Sequence, residues 1–168
     1  MKWEPRVALE SDIPELRSLI PRSSFELQKN IYTKEQIQAA MGPVFGVDEQ
    51  LIEDRTYYVV EAEGQIIGCG GWSFRKSLFG GDDGRKKPDP KLDPKRDAAR
   101  IRAFFIDPGY ARQGIGSAIM QKCEDGLIAM GFRRVEISAT LVGEPLYARF
   151  GYESVEQYEI PLHGAKPM

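Results

Sequence analysis

The chain has 168 residues, 42% of them apolar and 29% charged, which suits one globular domain with a core of its own. Lysine and arginine number 23 against 25 acidic residues, a net charge of −2, and that balance argues against a general nucleic-acid binder. No apolar run approaches the ~20 residues of a membrane helix, and the first residues, with Lys2, Glu4, Arg6 and Glu10, lack the apolar stretch of a secretory leader.

The cytoplasm is therefore the expected compartment. Cys69 and Cys123 lie in apolar surroundings and read as buried thiols rather than a disulfide. A single histidine, His163, excludes metal sites built from several imidazoles.

In chain order, Arg6–Leu9 is a short strand. Ser11 and Asp12 cap a helix starting near Pro14, whose apolar face is Leu16, Leu19 and Ile20. Pro21 is expected to end or bend it, with an irregular helical stretch after it. Thr33 with Gln36 makes a capping box for a second helix carrying Ile37, Ala40 and Met41. Gly42-Pro43 closes that helix, and 47–54 adds a short helical turn. Thr56–Ala62 is rich in β-formers. Glu63-Gly64 has the form of a tight hairpin turn, and Gln65–Phe74 returns as a second strand. Gly68, Gly70 and Gly71 inside that strand predict a bulge or a face where something packs against backbone.

The stretch 75–97 changes character, with eight Lys or Arg and five Asp among its glycines and prolines, and reads as an inserted or flexible loop. The alternative is a flap that shapes a site, since Leu78 and Phe79 call for a packing contact. Ile101–Ile106 is then a buried strand, stopped by Asp107-Pro108-Gly109. Ile115, Ile119, Cys123, Leu127 and Met130 keep helical spacing, and Gly131 stands where a helix ends. Arg134–Ser138 is the next strand, completing a βαβ unit with parallel pairing in a sheet otherwise made of hairpins. Glu144–Phe150 is a short helix, Tyr152–Ile160 a closing strand, and 161–168 a tail.

The chemistry concentrates where the strand Phe104–Ile106 turns into the helix. Helix N-termini present unpaired N–H groups and favour negative charge, and glycine lets a ligand come close to the backbone. The run Arg112-Gln113-Gly114-Ile115-Gly116-Ser117 is therefore a candidate anion site for a phosphate or pyrophosphate. It is neither a P-loop nor a dinucleotide GxGxxG. The bland alternative is a tight strand-to-helix turn.

The neighbouring residues are more specific. The stretch 104–116 resembles motif A of the GNAT family, the Gcn5-related N-acetyltransferases: a strand, a proline, then Arg/Gln-x-x-Gly-x-Gly/Ala. Counted to Gly114, the first position falls on Ala111, with Arg112 one later. Downstream, Tyr147-Ala148-Arg149-Phe150-Gly151-Tyr152 matches the family's Tyr-x-x-x-Gly-Phe/Tyr helix end, and Thr140 stands where the family often has Asn. The resemblance covers 1–168 as a single acetyltransferase domain, apart from 75–97 and the tail. It implies an α+β fold layered α/β/α, with a mixed, mostly antiparallel sheet, a βαβ unit and a splayed parallel strand pair.

It also implies acetyl transfer from acetyl-CoA, as co-substrate, to an amine of a small molecule or peptide, by direct attack. Ala111, Arg112, Gln113, Gly114, Ile115, Gly116 and Ser117 would hold the CoA pyrophosphate, with Thr140 beside them. Phe104, Phe105 and Ile106 would offer backbone groups to the pantetheine, and the N–H of Phe105 or Ile106 would polarise the thioester carbonyl. Tyr147 would protonate the leaving thiolate. No metal is implied, and family members often pair, which allows a homodimer. Asp97, Glu136 and Glu61 are base candidates by their place on or beside central strands. Arg100 and Arg102 share one face of the strand. One of them, with Trp72 and Tyr32, is a candidate contact to an anionic acceptor, the alternative being an ion pair with Asp97 or Glu136 at the strand end. A non-catalytic acyl-CoA sensor and a transferase of longer acyl groups are the other functions this scaffold allows.

Overall fold

In the computed structural model, which describes residues 3–79 and 89–168, a hairpin forms the middle of the fold. Its strands are β2 (Tyr57–Ala62) and β3 (Gln65–Ser73). Glu63 and Gly64 between them both have positive φ, 52° and 76°, the two-residue turn whose twist matches the strands it joins. On one side β1 (Arg6–Val7) pairs antiparallel with β2. On the other, β4 (Ala99–Ile106) pairs antiparallel with β3, and β5 (Val135–Ile137) pairs parallel with β4. The sheet order is β1-β2-β3-β4-β5, mixed and mostly antiparallel as the sequence suggests.

The alternation along β2 sends its residues to two cores. Tyr57 and Val59 face a cluster with Leu16, Leu19 and Ile20 of α1 (Ile13–Gln28), Ile37 of α2 (Lys34–Ala40) and Leu51 of α3 (Glu49–Glu53). Tyr58 and Val60 face Ile115, Ile119, Cys123 and Leu127 of α4 (Ile115–Ala129), with Tyr147 of α5 (Glu144–Arg149). Helices thus cover both faces, and each core is made by residues one position apart in a strand. The Thr33–Gln36 capping box forms as read, with Gln36 N–H on Thr33 Oγ1 at 3.1 Å and Thr33 N–H on Gln36 Oε1 at 2.9 Å.

Three local expectations change. Helix α1 runs through Pro21, because its buried stripe continues past it as Ser23, Ser24 and Gln28, and packing on the sheet outweighs the one hydrogen bond proline removes. Asp12 does not cap α1. Its carboxylate turns back to accept the Leu9 N–H at 2.7 Å and to hold Arg6. No strand forms over 152–160: Glu153, Glu156 and Glu159 are exposed, Val155 is 93% exposed, and no apolar face exists to lay against the sheet.

The flanks of 75–97 are tied down. Lys76 N–H donates to Pro90 O and Leu92 N–H to Phe74 O, at 2.9 and 2.7 Å, and Arg75 pairs with Asp54 at 2.8 Å. Leu78 and Phe79 are half-buried. The middle of the expected loop or flap, 80–88, lies outside the described residues.

Candidate functional site

The site begins with an irregularity in β4. Its register with β3 jumps from Gly71↔Arg102 to Cys69↔Phe105, so Ala103 and Phe104 together stand opposite Gly70. Ala103 takes φ 64°, a left-handed conformation that L residues avoid. A Cβ on Gly70 would lie 2.6 Å from the Phe104 ring, so the glycine that signals a bulge in the sequence is what lets that ring fold over β3. On its other edge β4 pairs with β5 only from Ala99 to Ile101, leaving 102–106 without a register partner there. The strand pair is splayed. Ile106 N–H, one of the two amides expected to face a thioester, donates to Ser23 Oγ of α1 at 3.1 Å.

Past β4 the chain makes the cradle. Asp107 Oδ1 accepts the Gly109 N–H at 2.8 Å, while its other oxygen takes Arg22 at 2.8 Å. Burial raises the Asp107 carboxyl, and these two bonds outweigh it, leaving its pKa below the ordinary range. Arg112 and Gly114 have φ 60° and 87°, and α4 starts at the next residue. Among the described residues, the amide N–H groups of Arg112 to Ser117 have no acceptor in the protein, the first helical bond being Ala118 N–H to Gly114 O at 3.0 Å. Six such donors at a helix start are of the kind that can take an anion. The Arg112 side chain is exposed beside them.

Helix α5 packs over the first turn of α4, where a Cβ on Gly116 would come 3.0 Å from Leu146 Cδ2. The next residue, Tyr147, is 9% exposed, and its ring meets the Phe104 ring edge-on, centroids 5.9 Å apart. Burial pushes its phenol above the ordinary value, so it is protonated at neutral pH. Splayed strand, amide cradle and buried tyrosine therefore adjoin one another.

The family model described as "Acetyltransferase (GNAT) family" matches residues 17–152. The chain belongs to this family. Over 65 residues it is 26% identical to the uncharacterized N-acetyltransferase YafP of Escherichia coli K12, spanning 39% of this chain and 40% of that protein. The PaiA N-acetyltransferase of Thermoplasma acidophilum, solved in complex with coenzyme A, superposes with a TM-score of 0.64 at 15% identity, covering 94% of each chain. A GCN5-related N-acetyltransferase from Ralstonia eutropha JMP134 gives 0.62 at 19% identity, covering 96% of this chain and 99% of that one. These likenesses establish the GNAT fold.

Thr140, grouped with the cradle by resemblance, has its hydroxyl on the α5 approach, accepting the Gly143 N–H at 3.2 Å.

The two arginines of β4 are used inside the protein. Arg102 is 3% exposed, with Nε on Asp48 Oδ2 at 2.8 Å and Nη1 on Ser77 O. Arg100 reaches Glu136 at 3.2 Å and the Lys76 carbonyl at 3.2 Å. The ion-pair alternative holds for Arg100, while Arg102 pairs with Asp48, which no motif marks. Trp72 is a core residue, 2% exposed, and Tyr32 accepts the Leu141 N–H on its hydroxyl at 3.2 Å. Among the base candidates, Glu61 binds Arg6, Glu136 binds Arg100, and Asp97 accepts the Asp93 N–H at 2.7 Å.

Sequence reading passed over Trp3, whose indole N–H donates to Gln113 O at 2.8 Å and whose ring meets Tyr110 edge-on. It latches the cradle from the chain start. A lone aromatic ahead of a two-residue strand carries no signal of that role.

Proposed function

We propose that the chain moves an acetyl group from acetyl-CoA to an amine of a small molecule or peptide, by direct attack of the amine on the thioester. The observation that supports it most is the row of partnerless amides from Arg112 to Ser117, opening beside the free edge of β4. The CoA pyrophosphate is the dianion such a row accepts, with Arg112 adding a cation–phosphate contact. Phe104, Phe105 and Ile106 line the edge along which the pantetheine amides run, as an added strand would. Tyr147, protonated and buried against Phe104, donates its proton to the thiolate as the C–S bond breaks. The amine forms the new C–N bond and gives its proton to water. Glu61, Glu136 and Asp97 are each engaged elsewhere.

The test is thiol release from acetyl-CoA across a panel of amines, with CoA binding measured in parallel. At least one amine should turn over. Tyr147→Phe should retain CoA binding and lose about 10²-fold in kcat, the scale of a general acid. CoA binding without turnover of any amine would overturn the transferase reading in favour of a sensor. Faster turnover of a longer acyl-CoA would overturn acetyl as the group transferred.

A further inference from the structure

The bulge in β4 is strained, and two buried side chains hold it. Tyr57, fully buried on the α1 side of the sheet, donates its hydroxyl to Ala103 O at 2.8 Å. Cys69, also fully buried, directs its thiol at Phe105 O at 3.6 Å. These carbonyls bracket Phe104. A trans peptide is planar, with C=O and N–H pointing opposite ways. Anchoring the Ala103 carbonyl to Tyr57 therefore turns the N–H of the same peptide, that of Phe104, away from the Tyr57 side. Ala103 and Phe104 have no register partner on either neighbouring strand. The two amides that follow are placed otherwise, Phe105 opposite Cys69 in the ladder and Ile106 on Ser23.

We propose that Tyr57 is a positioning residue for acyl transfer: its hydroxyl holds the Ala103 carbonyl so that the Phe104 N–H is the donor presented to the thioester oxygen. This rests on the transferase reading above. Ala103 has no intrinsic reason to sit at φ 64°, so a tie is needed to keep it there. Burial pushes the Tyr57 phenol well above its ordinary pKa, so the hydroxyl keeps its proton throughout the working range. Gly70 contributes by leaving room for the Phe104 ring, which in turn rests against Tyr147. One bulge thus sets both the donor to the carbonyl oxygen and the wall behind the acid.

The experiment binds acetyl-CoA labelled with 13C at the carbonyl, which requires no knowledge of the acceptor. In the wild type the bound carbonyl resonance should move downfield of free acetyl-CoA. In Tyr57→Phe it should return toward the free position, with kcat on an active amine about tenfold lower and the KM for acetyl-CoA little changed, a fraction of the loss for deleting such a donor. A loss of folded protein would also lower the apparent kcat at an unchanged KM, but it would leave the resonance of the bound carbonyl where it is in the wild type, so the carbonyl shift is the deciding readout. Ala103→Gly, which accepts φ 64° without strain, should shrink the effect of Tyr57→Phe. Where Tyr57→Phe alone does not fold, the comparison is made within the Ala103→Gly background, with the same direction expected. Equal carbonyl shifts and equal kcat with and without the hydroxyl would overturn the role of Tyr57. A wild-type carbonyl resonance identical to free acetyl-CoA would instead overturn the site reading beneath it.

Discussion

Gly114→Ala isolates the backbone cost of the cradle. Gly114 sits at φ 87°, ψ 7°, and a Cβ built there meets nothing within 4 Å. No clash contributes, so the penalty is the left-handed conformation itself, about 1–2 kcal/mol for an L side chain. At roughly 2–4 °C per kcal/mol for a chain of this size, the melting temperature should fall by about 2–8 °C. The chain can escape the strain only by rotating the peptides around Gly114, and these carry the amides proposed to hold the CoA pyrophosphate. Affinity for CoA should therefore fall more than stability suggests. Gly116→Ala is the control. It lies inside α4, where alanine is favoured over glycine by up to ~1 kcal/mol, and its new methyl meets only the flexible end of Leu146, at 3.0 Å. Its melting temperature should hold or rise. Calorimetric melts and CoA titrations of the two variants decide the matter. An unchanged melt and unchanged CoA affinity in Gly114→Ala, or an equal melting loss in Gly116→Ala, would refute the reasoning.

Arg102→Met takes the guanidinium from a fully buried Asp48 carboxylate and should cost about 3–5 kcal/mol in urea unfolding, with a second change, Asp48→Leu, recovering part of it. Recovery greater in anionic-amine turnover than in stability would contradict a structural role. The Asp12 pKa is lowered chiefly by its hydrogen bond to Arg6, and that of Asp107 by Arg22 and the Gly109 amide against the opposing effect of burial. Both contribute stability above the unfolded carboxyl pKa of about 3.9, and lose it as pH falls through their lower folded values. Urea midpoints should thus drop below pH 4, and the drop should flatten in Arg6→Ala and Arg22→Ala. With Tyr147 as the proposed acid and its pKa raised by burial, kcat should show no descending alkaline limb below about pH 10. A limb near neutrality would assign the acid to another group.

What the sequence revealed is what its own neighbourhood enforces. The β2–β3 hairpin follows from Glu63-Gly64 between two β-rich runs, α2 from a capping box four residues wide, and α4 from the spacing of Ile115, Ile119 and Cys123. The hidden parts are held from far away. Tyr57 reaches Ala103 across 46 positions, Ser23 reaches Ile106 across 83, and Trp3 reaches Gln113 across 110. Nothing in an alanine announces positive φ, because the conformation is imposed by a partner on another strand. Gly70 did announce a bulge, but not that β4 would be the strand carrying the extra residue. The closing strand expected over 152–160 fails for the converse reason: alternation in its second half does not make a strand when the glutamates around it face water.

A central strand rarely carries two same-face arginines unless their charges are used, and the place where Arg100 and Arg102 are used explains the site. Both arginines act near the end of β4 that pairs with β5, tying it to Glu136, Asp48 and the carbonyls of Lys76 and Ser77. That end is closed and charge-locked. Three residues on, β5 stops, because its continuation is committed to the next helix: the Thr140 carbonyl takes the Gly143 and Glu144 N–H groups at 3.0 and 3.2 Å. In the same register, a β5 extended to residue 140 would cover the edge from 102 to 104 and close the part of it that a pantetheine would pair with first. The opening is thus set by where the approach to α5 ends the strand, and the same turn delivers Tyr147 to the gap it leaves.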